Sequence, residues 1–279
     1  MKTYPCAKIN LGLNVVERRA DGYHNIETVF YPIPVFDQLE IKEQTEGNDS
    51  NDSCLLHLSG NSLDCDKEKN IVVKAYRILE KEYRLPPVTI GLTKEIPSEA
   101  GLGGGSSDGS YTLKMLNNMF QLGLSDEQLE EYAMKLGADC PFFIKSKASF
   151  ATGIGEKLQE IESMEHLLKD HWLVLLKPEI SISTKEAYAN ILPQKNTRNC
   201  LEIVKRPIEE WRDALTNDFE RPIFDKHPIL AYIKQLLYNN GAVYAQMSGS
   251  GSAIFGIFKE KPKTRWIDEL KIYNNVIKL

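Results

Sequence analysis

The sequence predicts an α+β protein of two domains, and three observations carry that expectation. Strand-like and helix-like segments mix without the regular strand–helix–strand alternation of a doubly wound sheet. At 279 residues the chain is long for one core and comfortable for two. Its texture changes after Leu158, where a charged stretch (residues 160–170) leads into a second series of strands and helices. The expected division is therefore residues 1–159 and 160–279.

The elements follow in chain order. Over residues 7–16, Ile9, Leu11, Leu13 and Val15 alternate with Lys8, Asn10, Gly12 and Asn14. That period of two predicts a half-buried strand with Lys8 and Asn10 side by side on its polar face. Asp21-Gly22 signals a turn into a second strand over residues 25–31. Strands over 38–42 and 55–58 flank a polar stretch, 44–53, that reads as an exposed loop. Residues 70–83 are helix-like, and 88–92 form an apolar strand.

A glycine-rich loop, PSEAGLGGGSS, follows at residues 97–107. Tyr111, Met115, Met119 and Leu122 recur at helical spacing, which places a helix start at or just after the serines. The next helix carries a capping box, Ser125 with Gln128, a Leu124–Leu129 staple and a stop at Gly137. Its expected buried stripe is Leu129, Tyr132, Ala133 and Leu136. Beyond the boundary come a strand over 172–176, mostly helical signals, and a helix over 229–239 stopped by Gly241. Strand-like 242–246 and 253–258 enclose a second glycine loop, Ser248-Gly249-Ser250-Gly251-Ser252.

Composition narrows the function classes. Hydrophobic residues make up 42% and charged residues 26%, the balance of a globular protein. Lys plus Arg (34) against Asp plus Glu (39) gives a net charge of -5, which argues against a nucleic-acid partner. No apolar run approaches the roughly 20 residues of a membrane helix, so no membrane partner is expected. Residues 1–5 lack the apolar stretch of a secretion signal. Cys6, Cys54, Cys65, Cys140 and Cys200 are widely spaced with no C-x-x-C, which suits reduced thiols in the cytoplasm. The sequence leaves the oligomeric state open.

The chemistry begins at the first glycine loop. Gly101, Gly103, Gly104 and Gly105 lack β-carbons, so the backbone can take positive φ and approach a ligand closely. Ser106 and Ser107 then open a helix whose first N–H groups and dipole favour an anion. Together these make a phosphate cradle. A plain glycine-rich turn is the alternative, and four glycines in five residues followed by two hydroxyls stand against it. A Walker A loop is excluded because no lysine lies between Lys94 and Lys114. A dinucleotide fingerprint would need glycine at 106 or 254, where Ser and Ile stand. Asp108, in the first helical turn, should point away from any phosphate. Gly109 inside the helix suggests close packing. Asp139 lies between a helix stop and Pro141, a position suited to a cleft, although it equally suits a helix cap. Lys8 by itself equally suits a solvated strand lysine. The two gain weight together, because a cradle without a Walker lysine still needs a cation and a group to orient the attacking hydroxyl.

These motifs resemble those of the GHMP kinases, a family that includes galactokinase, homoserine kinase, mevalonate kinase and phosphomevalonate kinase. PSEAGLGGGSS is similar to the second family motif and QMSGSGSAIF (246–255) to the third. PCAKINL (5–11), ADGYH (20–24) and LGADCPF (136–142) look like the branch acting on a cytidyl substrate. The resemblance spans nearly the whole chain with its motifs in order. It implies an N-terminal domain like ribosomal protein S5 domain 2 and a ferredoxin-like C-terminal domain. It also implies a reaction: ATP, with Mg²⁺, phosphorylates the C2 hydroxyl of a cytidine diphosphate-linked methylerythritol in the non-mevalonate route to isoprenoid precursors.

Carried over by position, the resemblance makes Asp139 the base and Lys8 the cation beside it. Pro97, Ser98, Glu99, Ala100, Gly101, Leu102, Gly103, Gly104, Gly105, Ser106 and Ser107 would form the ATP loop. Asn10 would bind near the reacting hydroxyl. His24 would bond the cytosine edge, with Tyr23 on one face of the ring and Tyr188 on the other. Thr184 would sit near the γ-phosphate, although Thr184 and Ser181 also suit helix caps. Gly249 and Gly251 would approach the substrate diphosphate or the reacting centre. Rival readings are another GHMP kinase, acting on mevalonate or homoserine, and a catalytically silent nucleotide sensor on the same fold. The ADGYH turn speaks against the first, and Lys8 with Asp139 against the second.

Overall fold

Alternating and stripe-like apolar patterns are realised as three four-stranded sheets among the described residues of the computed structural model, which are 1–44, 52–61, 66–162, 168–189, 191–193 and 199–279. Most of the loop expected over 44–53 lies outside them, as do Cys65 and parts of 160–170 and 194–205. The strands are β1 (Lys2–Thr3), β2 (Cys6–Arg18), β3 (His24–Phe36), β4 (Gln38–Glu43), β5 (Cys54–Gly60) and β6 (Val88–Lys94). They continue with β7 (Ser149–Thr152), β8 (Lys157–Glu160), β9 (Trp172–Lys177), β10 (Tyr244–Met247), β11 (Ile254–Phe258) and β12 (Tyr273–Lys278). Contacts group the chain into two units. The first comprises Met1–Ala7, Val35–Ser98 and Gly103–Ser146; the second comprises Lys8–Pro34, Glu99–Leu102 and Lys147–Leu279.

In the first unit the sheet order is β1-β4-β6-β5, with β5 parallel to β6 and the other pairs antiparallel. Helices α1 (Ile71–Tyr83), α2 (Gly104–Met119), α3 (Asp126–Met134) and α4 (Phe142–Lys145) belong to the same unit. Leu39, Ile41, Val88, Ile90 and Leu92 from the sheet meet Val72, Tyr76, Leu79, Leu113 and Leu116 from the helices in one core. Full burial of each such side chain contributes about 1.5–3 kcal/mol. Asn70 starts α1 by accepting a hydrogen bond from the Val72 N–H at 3.1 Å. The capping box of α3 forms in both directions, Gln128 N to Ser125 Oγ and Ser125 N to Gln128 Oε1. Gly109 is explained by packing: a β-carbon there would lie 2.9 Å from Ile71 Cγ1.

Several strands run longer than expected, β3 as far as Phe36, and two boundaries beside the glycine loop also differ from expectation. Helix α2 starts at Gly104, ahead of the serines, because Gly103 takes a left-handed conformation (φ 69) and turns the chain into the helix. Strand β6 runs two residues further, to Lys94, and carries that lysine onto the buried face shared by Val88, Ile90 and Leu92.

The second unit holds the sheets β2-β3-β7-β8 and β10-β11-β9-β12. All the pairs in the latter are antiparallel. With helices α5 (Thr184–Ala189) and α6 (Pro228–Asn239) after β9, and a short helix, Arg265–Asp268, before β12, this half reads β-α-β-β-α-β. Its strand order is that of a ferredoxin-like sheet, as the resemblance implied. Val174, Leu176, Ile233, Leu237, Met247 and Ile254 lie in its core.

The expectation of a half-buried β2 is overturned, since every residue from Cys6 to Val15 is buried. Its polar side chains stay inside because each finds a partner, Asn14 by donating to Cys200 Sγ at 3.3 Å and Lys8 and Asn10 as described below. The four described cysteines, Cys6, Cys54, Cys140 and Cys200, are free and buried. No helix among the described residues is long and apolar enough to cross a membrane.

Candidate active site

In the first unit the expected cradle is the start of α2. Gly103 caps the helix without a side-chain hydrogen bond. Helix geometry leaves the N–H groups of Gly104, Gly105 and Ser106 without intrahelical acceptors, and the first such bond runs from Ser107 N to Gly103 O at 2.9 Å. The glycines differ in what surrounds them. A β-carbon on Gly104 would lie 2.9 Å from Ile96 Cγ2, whereas one on Gly105 would meet nothing within 4 Å. Ser107 is fully buried, and its Oγ has no hydrogen-bond partner. Free amides, an open backbone and an unpartnered hydroxyl fit a phosphate group.

Behind the cradle lies a buried ionic cluster that sequence reasoning missed. Lys94 donates to Asp108 Oδ2 at 2.6 Å and to Asp37 Oδ2. Asp37 Oδ1 accepts from the N–H groups of Glu95 and Ile96, at 2.6 and 2.9 Å, at the entry to the glycine loop. Asp108 therefore points away from the helix start, as expected, and into the unit. Burial, followed by the nearby Asp37, raises the Asp108 carboxyl to about 8 against the pull of Lys94. Burial depresses Lys94, but its two carboxyl partners outweigh that and raise it. One ammonium balances one carboxylate, so the second carboxyl keeps its proton. A lysine on the apolar face of a strand pattern was the readable signal.

Asp139 lies in the turn between α3 and α4 and is half-buried. The turn is tied to α2 by the Ser110 hydroxyl, which donates to the Cys140 carbonyl at 2.6 Å.

The second unit holds most of the other expected residues. Lys8 is 3% exposed and Asn10 1%. The Lys8 ammonium donates to Asn10 Oδ1 at 2.6 Å and to the Gly101 carbonyl at 2.9 Å, and it lies 5.1 Å from the centre of the Phe30 ring. Ser248 Oγ also donates to the Gly101 carbonyl, at 2.8 Å. Gly101 has φ 73, and a β-carbon there would collide with the Ser248 carbonyl oxygen. A β-carbon on Gly249 would lie 3.2 Å from Asn10 Oδ1, and one on Gly251 2.6 Å from Met247 Sδ. Asn217, another residue the sequence did not flag, holds this loop by donating to the Met247 and Gly249 carbonyls at 2.8 Å. Pro97 and Ser98 fall in the first unit; Glu99, Ala100 and Leu102 fall in the second, where the Ala100 carbonyl accepts from Ala253 N at 3.1 Å.

The aromatic residues also gather in the second unit. Tyr23 follows the Asp21-Gly22 turn and is 61% exposed. The His24 and Tyr188 rings stack, with centroids 4.7 Å apart and planes 16° from parallel. Tyr188 in turn meets Phe219 edge-on at 4.8 Å, so it is both core and surface. The ring facing Tyr188 is thus that of His24. Burial and Arg18 hold the His24 imidazole below the ordinary histidine value, leaving one donor and one acceptor nitrogen at neutral pH. Thr184 is exposed at the start of α5, and the cap is Ser183, whose Oγ accepts from Glu186 N at 3.1 Å; neither Ser181 nor Thr184 fills that role.

Comparison with known proteins gives this geometry its family. The family described as GHMP kinases N terminal domain matches residues 70–147, and GHMP kinases C terminal matches 201–273. Over 268 residues the chain is 52% identical to the 4-diphosphocytidyl-2-C-methyl-D-erythritol kinase of Bacteroides fragilis, covering 96% of each chain. The chain belongs to the GHMP kinase family. A crystal structure of 4-(cytidine 5'-diphospho)-2C-methyl-D-erythritol kinase superposes with a TM-score of 0.80 at 28% identity, covering 100% of both chains. The mevalonate kinase of Methanococcus jannaschii shares the fold, with a TM-score of 0.71 at 19% identity over 100% of this chain and 98% of that one.

As a GHMP kinase the chain is a phosphotransferase that moves a phosphate from ATP to a hydroxyl of a small-molecule substrate. The helix start of α2 suits the phosphates of ATP. Among the described residues no cluster of three His, Cys, Asp or Glu side chains could hold a metal ion.

The buried cluster yields a test. Asp108 keeps its proton to about pH 8 when folded and loses it near 4 when unfolded. Its contribution is therefore present at low pH and is lost as pH rises through 8. Asp108→Asn should flatten the fall in unfolding free energy between about pH 4 and 8 relative to the unaltered chain. Parallel denaturant-unfolding curves for the two proteins over that range would refute the protonated carboxyl.

Proposed function

We propose that this GHMP kinase transfers the γ-phosphoryl group of ATP to the C2 hydroxyl of 4-diphosphocytidyl-2-C-methyl-D-erythritol, in the non-mevalonate route to isoprenoid precursors. The observation that carries the reading is the His24–Tyr188 stack next to the Tyr23 turn. A neutral imidazole with one donor and one acceptor matches a pyrimidine edge, the exposed Tyr23 offers a flat surface for one face of the base, and the base would take the place of His24 on Tyr188. Substrates without a base have no use for that cluster. The names of the 52% identical relative and of the 28% identical crystal structure support the same substrate.

In this reading Asp139 accepts the proton of the C2 hydroxyl as its oxygen bonds to phosphorus, and ADP leaves. Lys8 stabilises the alkoxide and the transferring phosphoryl group. Asn10 binds near the reacting hydroxyl and Thr184 near the γ-phosphate. Gly249 and Gly251 let the backbone approach the substrate diphosphate. A tertiary alcohol is a poor nucleophile, so alignment and charge stabilisation supply most of the rate. Mg²⁺, held by the ATP phosphates with the Ser107 hydroxyl at hand, would neutralise phosphate charge. In this reading the two domains divide near residue 160, which is compatible with matched segments ending at 147 and beginning at 201. The buried free thiols support a cytoplasmic enzyme.

The deciding experiment offers ATP labelled in the γ-phosphate to the purified chain with the cytidyl substrate, mevalonate and homoserine in parallel. Transfer to the cytidyl substrate alone is expected; transfer only to either of the others would overturn the assignment. Asp139→Asn should lower turnover by about 10²-fold or more while ATP binding persists, and near-normal turnover would remove Asp139 from the mechanism. Gly105→Ala should separate stability from binding. Its β-carbon meets nothing and suits a helix, so the folded state should gain about 0.4–1 kcal/mol. The same methyl should raise the KM for ATP about tenfold if phosphate lies against that backbone. A stabilised variant with an unchanged KM would place the phosphates elsewhere.

A further inference from the structure

The Lys8 ammonium lies against one end of a side chain that has two unlike ends. The Asn10 amide carries an acceptor oxygen and a donor nitrogen, so its orientation decides whether Lys8 meets an acceptor or another donor. The observed contact, Lys8 Nζ to Asn10 Oδ1 at 2.6 Å, needs the oxygen turned toward the lysine.

What sets that orientation is Thr28 on β3. Its Oγ1 accepts from Asn10 Nδ2 at 2.9 Å and donates its own hydrogen to the Gly12 carbonyl. A hydroxyl has one hydrogen, and with that hydrogen committed to Gly12 it can act toward Asn10 only as an acceptor. The amide nitrogen must therefore face Thr28, which leaves the oxygen for Lys8. A reversed amide would set two donors against each other at Lys8 and face its oxygen with a hydroxyl that has no hydrogen to give. Thr28 is fully buried and Asn10 1% exposed, so solvent does not relieve a mismatch. The Gly12 end is itself anchored. Gly12 N donates to Gln246 Oε1 at 2.8 Å, and Gln246 Nε2 donates to the Leu215 carbonyl at 3.1 Å. Donation along this chain of hydrogen bonds thus runs one way, from the ammonium through Asn10 and Thr28 to the Gly12 carbonyl.

We propose that Thr28 is a positioning residue for phosphoryl transfer: its hydroxyl fixes the Asn10 amide and, through it, the Lys8 ammonium. The inference rests on the reading of Lys8 as the cation of the reacting centre. The experiment measures kcat, KM for ATP and thermal midpoint on the full chain with the cytidyl substrate. It compares Thr28→Val, Thr28→Ser, Lys8→Ala, Asn10→Ala and the Thr28→Val/Asn10→Ala double variant. Thr28→Val should lower kcat about tenfold or more with the KM for ATP within about twofold, because it disturbs alignment and not nucleotide binding. Thr28→Ser, which keeps the hydroxyl, should stay within about threefold of the unaltered chain. In the Asn10→Ala background Thr28→Val should add no further loss, since the route to Lys8 is already cut.

An unaltered chain that transfers nothing, or a Lys8→Ala variant with full kcat, would remove the underlying reading. With both of those as expected, a folded Thr28→Val enzyme with full kcat overturns this inference alone. Equal losses in the serine and valine variants, additive losses in the double variant, or a valine variant that does not fold would assign Thr28 to the fold and likewise overturn it.

Discussion

The arrangement of the second unit depends on one close approach, the backbone of Gly101 lying against the carbonyl of Ser248 where no β-carbon fits. That approach brings the Gly101 carbonyl within reach of both the Lys8 ammonium and the Ser248 hydroxyl. It also separates the roles of four glycines that look equivalent in sequence. Gly101 lets two backbones meet, Gly103 turns the chain into α2, and Gly104 leaves room for Ile96. A β-carbon on Gly105, unlike one on Gly101 or Gly104, would meet nothing within 4 Å. Gly101 and Gly104 thus serve close packing, and Gly103 serves the direction of the chain.

Buried polar groups organise both units, and both follow the same rule, that each must find a partner of the right polarity. Lys94 is matched by two carboxyls, and Asp37 then uses its other oxygen to hold the N–H groups of Glu95 and Ile96 at the entry to the cradle. Lys8 receives the Asn10 oxygen, the Gly101 carbonyl and the face of Phe30. In the first unit, ionic pairing fixes where a loop begins. In the second, the direction of successive hydrogen bonds fixes where a charge sits. Removing one partner from either would leave a buried group unmatched, which costs more than the bond itself contributed.

Much of this was legible in the chain, and the misses share a cause. Periodicity and capping placed β2, α1 and α3 close to where they form because they depend on neighbours in sequence. The polar face of β2 was read as solvated because its partners, Thr28, Gln246 and Ser248, lie 18 to 238 residues away and none of them signals pairing by itself. Lys94 stood one strand period beyond Leu92 and was readable as a buried charge, yet the expected strand stopped at residue 92. Asn217 offered no local pattern at all; its two bonds to the second glycine loop exist only in three dimensions. Ser183, not its neighbours, caps α5, a choice set by backbone geometry that composition does not encode.

The fold and the substrate are written in different residues. A mevalonate kinase with 19% identity shares the fold over this whole chain, and a fold by itself does not specify a substrate. Under the proposed reading, selection falls to Tyr23, His24 and Tyr188, which lie on a turn, a strand end and a short helix of the second unit. The depressed basicity of His24 matters there, since a charged imidazole would offer two donors and no acceptor to a base edge. The stacking partner of Tyr188 is already an aromatic ring, so a pyrimidine seated on that face would exchange one stacked contact for another. Discrimination then rests on the hydrogen-bond pattern at the ring edge more than on buried area, because an unmatched edge leaves polar groups unpaired.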